Sequence, residues 1–257
     1  MINLRHIMSG KLYLGSMGWS YNFWPLYKTR SKASEYLSQY SSHFNSVEVN
    51  NTFYRIPSRT TVRGWFEEVP EDFIFSSKFP RSISHTGKLE YDKGKLSAFL
   101  SNISKLGEKK GPLVLQLPPY SGPADKDNLE QLFKALPEGD RYSVEFRNQK
   151  WHNEDTYDLL RAHGVALVLQ DHPTLPFVTV TTSDFVYIRC EGDRKKVNGE
   201  KGKTEVDRLH DIEKWFKHIH RYLSKGLDVY CYFSKYYSGY PPSDITQLNK
   251  LLNTRSE

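Results

Sequence analysis

Two pairs of polar residues stand two positions apart in otherwise apolar runs: Glu48 with Asn50, and Glu145 with Arg147. Residues two apart in an extended chain share one face, so each pair presents its groups together. A carboxylate held beside a hydrogen-bonding or cationic partner is suited to moving protons. Other apolar runs end in single polar residues: Lys78, Gln116, Asp171, Arg189 and Ser234. Burying such groups without partners is costly in apolar surroundings, so their recurrence at one end of successive runs points to a shared site. The chemistry expected there has Glu48 or Glu145 as general base and Asp171 or His85 as partner acid. Lys78, Arg81, Arg147 and Arg189 would stabilise negative charge on the substrate, while Asn50, Gln116 and Trp151 line the site. The plainer alternative is that strands simply stop at the surface and that Glu/Arg pairs satisfy each other.

Nearby segments extend the pattern. Pro80 to His85 follows the third run, Asn148, Trp151 and His152 the fifth, and His172 comes directly after Asp171. Gly192 to Lys203 holds five basic residues among three glycines. Alone it reads as a solvated, mobile loop; beside a cationic site it could close over an anion. Glu48, Glu145, Asp171, His85, His152 and His172 contain metal-ligand chemistry. No H-x-H or H-E-x-x-H spacing occurs, however, and the basic side chains would compete for the carboxylates, so a metal is not favoured. Trp19, Tyr21, Phe23, Trp24, Tyr27, Phe53 and Tyr54 could stack on a ring or pack over the end of a domain.

These residues must be positioned by regular elements. Strands are predicted at Lys11–Trp19, Ser46–Phe53, Phe73–Phe79, Leu113–Leu117, Arg141–Arg147, Val165–Asp171, Phe185–Cys190 and Asp228–Ser234, apolar enough to be covered on both faces. Helical patterns alternate with them at Lys32–His43, Ser58–Glu68, Leu96–Lys109, Asn128–Leu136, Asp155–His163, Glu205–Lys225 and Ser243–Leu252. Gly164 and Gly226 stand where left-handed C-caps are wanted, and Pro70 and Pro137 close two others. Eight strands with intervening helices predict an α/β fold, a single TIM-type (β/α)8 barrel spanning residues 1–257. The stretch between Asp171 and Phe185, with Pro173 and Pro176, offers no helix, so the barrel is expected to be irregular between strands six and seven. A doubly wound open sheet is the rival, but Gly15-Ser16-Met17-Gly18 lacks dinucleotide-binding spacing. In a barrel the C-terminal strand ends form one mouth, and that is where the polar residues gather.

The totals agree with a folded protein of 257 residues, 38% of them hydrophobic. Met1–Gly10 lacks the apolar core of a secretion signal, and no run is long and apolar enough to cross a bilayer, so a cytoplasmic protein is expected. Cys190 and Cys231, the only cysteines, read as small buried hydrophobes. A net charge of +6 permits an anionic partner without requiring nucleic acid.

The same residues resemble a known family. Gly18-Trp19-Ser20-Tyr21 and Phe44-Asn45-Ser46-Val47-Glu48-Val49-Asn50 with Thr52-Phe53-Tyr54 carry the likeness. So do Phe79-Pro80-Arg81-Ser82-Ile83 with His85, Gln116-Leu117-Pro118-Pro119, and Val144-Glu145-Phe146-Arg147 with Trp151. Gly164-Val165-Ala166 leading to Asp171, Tyr187-Ile188-Arg189 with Gly192, and Tyr230 to Phe233 complete it. The chain is similar to the YecE-like proteins, domain of unknown function 72, over nearly its whole length. The resemblance implies a TIM-type barrel and no particular reaction. Here Glu191 stands where the family usually has His, Ser234-Lys235 where it has two asparagines, and Ser16-Met17 where Thr-Ser is common.

Three functions compete. The favoured one is an enzyme, a hydrolase or an isomerase or lyase, acting on a phosphorylated or other anionic small molecule through carboxylate acid–base groups. The second is nucleic-acid binding or processing, motivated by the basic loop and the aromatics. The third is a non-catalytic ligand-binding module. Neither the cofactor nor the oligomeric state is legible in the sequence.

Overall fold

A computed structural model describes residues 10–254; the reading of the N-terminus as lacking a secretion signal falls, for residues 1–9, outside the described residues. Eight parallel strands form the barrel: β1 Leu12–Ser16, β2 Ser46–Val49, β3 Ile74–Lys78, β4 Lys110–Leu117, β5 Tyr142–Phe146, β6 Ala166–Asp171, β7 Phe185–Cys190 and β8 Asp228–Phe233. Their hydrogen-bonded order is β1-β8-β7-β6-β5-β4-β3-β2. The helices outside are α1 Tyr36–Ser41, α2 Asn51–Tyr54, α3 Arg59–Glu68, α4 Arg81–Ser84, α5 Lys93–Ile103, α6 Lys126–Lys134, α7 Glu154–Ala162, α8 Leu209–Ser224 and α9 Pro241–Thr254. As expected, no helix joins β6 to β7.

The seam between β1 and β2 is closed by side chains as much as by backbone. A single parallel bridge joins Met17 to Glu48. Below it, Leu14 N donates to Asn45 Oδ1 at 2.9 Å and Asn45 Nδ2 donates to Leu12 O at 2.8 Å. Tyr40 of α1 accepts from Ser16 N at 2.8 Å and donates to Ser46 O at 3.1 Å. These two side chains replace the missing rungs of the ladder, satisfying backbone groups that burial would leave unpaired. The strands approach closely because Gly15 has no Cβ: one built there would lie 2.0 Å from Ser46 O.

Strand alternation sorts side chains into two layers. Val47, Phe75, Leu115, Val144, Leu167, Ile188, Cys231 and Phe233 face the helices and join the main apolar core. Met17, Val114, Ala166, Val168, Phe185, Tyr187, Tyr230 and Tyr232 fill the barrel interior. Both cysteines are buried. The interior turns polar towards the C-terminal ends, where Tyr232 Oη shares hydrogen bonds with Ser46 Oγ at 2.7 Å and Ser76 Oγ at 2.8 Å.

Some boundaries differ from those predicted. The second strand ends at Val49, and Asn51–Tyr54 coils into a helical turn whose Thr52 hydroxyl donates to Lys78 O at 2.6 Å. Helix α8 begins at Leu209, not Glu205, because Glu205 N and Val206 N donate to Ser238 O. Helix α9 begins two residues early, at Pro241, as proline at the first turn lacks only an N–H that would be unpaired anyway. The segment read either as a solvated, mobile loop or as one that could close over an anion, residues 192–203, packs against its neighbours. Val197 is buried, Gly199 N donates to Glu205 Oε1 at 2.7 Å, and a Cβ on Gly202 would meet Phe23 O at 2.1 Å. Among the described residues, no helix is long and apolar enough to cross a membrane.

Candidate functional site

Strand register carries the predicted polar residues to one level at the mouth. Gln116 of β4 pairs with Glu145 of β5, and Gln170 of β6 with Arg189 of β7. At the seam, Glu48 bridges Met17. All of these face inward, with Lys78 closing β3.

Arg189 is the centre of this layer. Its Nε and Nη2 each donate at 2.9 Å to Glu48, on Oε2 and Oε1 respectively, a bidentate pair. Nη1 donates to Glu145 Oε2 and lies 2.5 Å from Glu191 Oε1. Nη2 also points at Met17 Sδ, 3.3 Å away. Tyr187 donates its hydroxyl to Glu48 Oε2 at 2.8 Å. Arg147 takes the outer flank, its Nη2 2.6 Å from Glu191 Oε1 and its Nε in ion contact with Glu145 Oε1. Gln116 links two charges, donating Nε2 to Glu145 Oε1 at 2.8 Å and accepting from Lys78 Nζ at 2.8 Å. Lys78 Nζ also sits 4.2 Å from the centre of the Phe53 ring.

The electrostatics follow from this allocation. Burial by itself would raise the Glu145 pKa, but Arg147, Arg189 and Lys78 outweigh it and hold the carboxyl down to about 2. Glu191 is also lowered, by Arg189 and Arg147 against its burial. Lys78 moves the other way: burial, then the positive charge of Arg189, brings its pKa down to about 8. His85 is lowered by burial and by Lys78, Arg81 and Arg147. Its Nδ1 is 2.9 Å from Ser84 Oγ, and its ring stands edge-on to Phe53 at 4.9 Å. His172 is likewise lowered, by burial first and then by Arg147.

Of the predicted residues, Glu48, Glu145, Lys78, Gln116, Arg147 and Arg189 converge. Asn50 and His85 are half-buried beside them, and Arg81 is exposed on the rim at the start of α4. Two expectations are corrected. Asp171 does not join the cluster: it lies on the outward face of β6, and its Oδ2 accepts from Trp215 Nε1 at 3.1 Å and Tyr237 Oη at 3.0 Å. Gln170 holds the inward position instead. Trp151 is fully buried, stacked 4.8 Å from Phe146 with its indole N–H donating to Ser121 O at 3.1 Å, so it supports the barrel wall and lines no binding surface. Glu48 and Glu145 are also sealed: both are fully buried with every carboxylate oxygen engaged. That leaves neither placed to act as the general base. The residues missed were Tyr187, Gln170 and Glu191. The first and last are two positions either side of Arg189, so strand alternation alone could have found them.

What remains available is mostly donors. Lys78 uses one N–H on Gln116, and among the described residues no carboxylate lies within ion-pair distance of it. Arg147 Nη1, the Asn50 amide and His85 Nε2 likewise have no hydrogen-bond partner among the described residues. Glu191 Oε2 is the one carboxylate oxygen of the cluster without a partner there. Above lie exposed Tyr54 and Tyr120, Arg194 over the Tyr236 ring, and Lys235, which pairs with Glu200 at 2.7 Å. Among the described residues, no group of three or more His, Cys, Asp or Glu side chains is arranged to hold a metal ion. The grooves lined by Arg59, Arg63 and Glu67 and by Tyr91, Leu96 and Lys110 lie outside the barrel wall, away from this chemistry.

Comparison with known proteins gives consistent matches. The family model described as "Protein of unknown function DUF72" matches residues 13–257. The UPF0759 protein YecE of Escherichia coli (strain K12) is 34% identical over 165 residues, 62% of this chain; the chain spans 59% of that relative's length. The UPF0759 protein YunF of Bacillus subtilis (strain 168) is 26% identical over 94% of this chain and 95% of its own. The crystal structure of a DUF72 family protein from Thermotoga maritima MSB8 aligns with a TM-score of 0.80 and 26% identity, covering 95% of this chain and 99% of that one.

Proposed function

We propose, from the premise that the chain belongs to the DUF72 family of proteins of unknown function, that its barrel mouth binds and transforms a small anionic molecule. The observation that carries this reading is the imbalance left after pairing. Both oxygens of Glu48 and Glu145 are engaged and Glu191 is paired through Oε1 alone, while Lys78, the outer edge of Arg147, Asn50, His85 and Arg81 keep unspent donors. A phosphate or carboxylate would satisfy those donors without displacing an existing ion pair. Placement at the C-terminal mouth agrees with where barrels do chemistry. The acid–base groups in this reading are Lys78, His85 and Glu191, each reaching the mouth with a titrating atom not fully engaged. Glu48, Glu145 and Arg189 form the floor that holds them. The nucleic-acid alternative draws less support, because Lys201 and Lys235 are paired with Glu205 and Glu200.

The test is a screen of phosphorylated and carboxylated metabolites for turnover, with phosphate affinity measured at low salt. Turnover and phosphate binding by the parent protein, both lost in Lys78→Met and weakened at least roughly tenfold in Arg147→Gln, are expected. Phosphate affinity unchanged in both variants would remove the reading.

A further inference from the structure

We infer that Lys78 is a nucleophile, forming an imine with a small carbonyl compound that also bears a carboxylate or phosphate. This rests on the reading of the mouth as an anion site and names its substrate class.

The geometry separates Lys78 from the other cations of the cluster. Arg189 is spent on Glu48, Glu145 and Glu191, and Arg147 is ion-paired with Glu145 and Glu191 through Nε and Nη2. Lys78 has an amide oxygen as its partner, and the Gln116 amide is held in that orientation by donating to Glu145. An amide oxygen accepts from an ammonium or an amine alike, so this contact does not require the charged form. The lysine stem is walled in by the barrel, leaving 7% of the residue exposed, and the Phe53 ring covers one side of the nitrogen. This is a desolvated amine beside a fixed guanidinium, the environment that activates lysine for attack on carbonyls. Burial and the neighbouring Arg189 bring its pKa down to about 8, so the neutral amine is far more populated near neutral pH than in an ordinary lysine.

The step balances without oxidant or reductant. The Nζ lone pair attacks the carbonyl carbon, and a proton passes from nitrogen to oxygen to give the carbinolamine. The hydroxyl then leaves as water after protonation, giving the protonated imine. His85 shares the Phe53 ring with Lys78, and its Nε2 is free while Nδ1 is held by Ser84, so it is placed to shuttle that proton. Arg147 and Arg81 would hold the anionic end. The imine withdraws electrons from the neighbouring carbon, which suits isomerase or lyase chemistry.

The experiment incubates the protein with sodium cyanoborohydride and either pyruvate or dihydroxyacetone phosphate, followed by intact mass measurement and peptide mapping. The two probes distinguish a carboxylate-bearing from a phosphate-bearing carbonyl. We expect a single reduced adduct on Lys78, enriched roughly a hundredfold over the other lysines, competed away by excess inorganic phosphate and absent in Lys78→Arg. Because the adduct is mapped in the parent protein, the result stands even if the variant misfolds. Adducts spread evenly over surface lysines, or none with either probe, would overturn the proposal. Phosphate binding measured on the same samples separates the two readings. Binding without an adduct sinks only the imine, whereas loss of both sinks the anion site as well.

Discussion

Arg189 offers one guanidinium to Glu48, Glu145, Glu191 and Met17, and that makes it a keystone with nothing left for a ligand. Buried ion pairs contribute little net stability over a well-packed apolar equivalent, yet losing one partner strands the others. Arg189→Met is therefore expected to cost about 3–5 kcal/mol in urea denaturation, since Glu48 would lose its ionic partner at full burial. Adding Glu48→Met should recover much of that loss. A double variant no more stable than Arg189→Met would show that Glu48 was never the stranded charge. Lys78 is the complement of Arg189: the geometry that pairs every carboxylate elsewhere is what leaves this amine reactive.

At the scale of elements, the seam between β1 and β2 is where the barrel depends on single side chains. Tyr40 reaches from α1 to hold Ser16 and Ser46, and Asn45 holds Leu12 and Leu14. Tyr40→Phe keeps the ring and removes the hydroxyl, leaving the buried Ser16 N–H without its acceptor. The expected cost is about 1–3 kcal/mol. Amide exchange should speed up at Ser16 while β5 and β6 stay protected; uniform loss of protection would mean that the seam is not a local weak point. The loop after β7 behaves as part of the wall. Gly192, at a φ of +71° and with a virtual Cβ 2.1 Å from Tyr236 O, allows the sharp turn that packs it against the β8 segment.

For the whole molecule, the mouth is a balanced set: three carboxylates, Glu48, Glu145 and Glu191, face three cations, Lys78, Arg147 and Arg189. Its consequence is a dependence on pH in the acid range. Glu145 titrates at about 2 in the folded protein against 4.5 ordinarily, so the unfolded chain binds the proton more readily. Its stabilisation is complete above pH 4.5 and is lost as pH falls towards 2. Stability measured by urea titration should fall more steeply across that window in the parent than in Glu145→Gln, which is the less stable of the two at neutral pH. Parallel profiles would show that Glu145 is not depressed.

Local sequence determined the strands, the helices and the end of the barrel that is polar, because alternation and helical periodicity depend on neighbours a few residues apart. It also determined that Glu48, Lys78, Gln116, Glu145, Arg147 and Arg189 share that end. Tertiary structure alone decided which charges neutralise which, since Glu48 and Arg189 are 141 positions apart and meet only when eight strands close into a ring. It likewise turned Asp171 outward and Gln170 inward, because the register of β6 against β7 sets the face of each residue and a slip of one position reverses it. The unpaired amine of Lys78 follows from that closure: the arginines reach the carboxylates first, and the lysine is left with an amide.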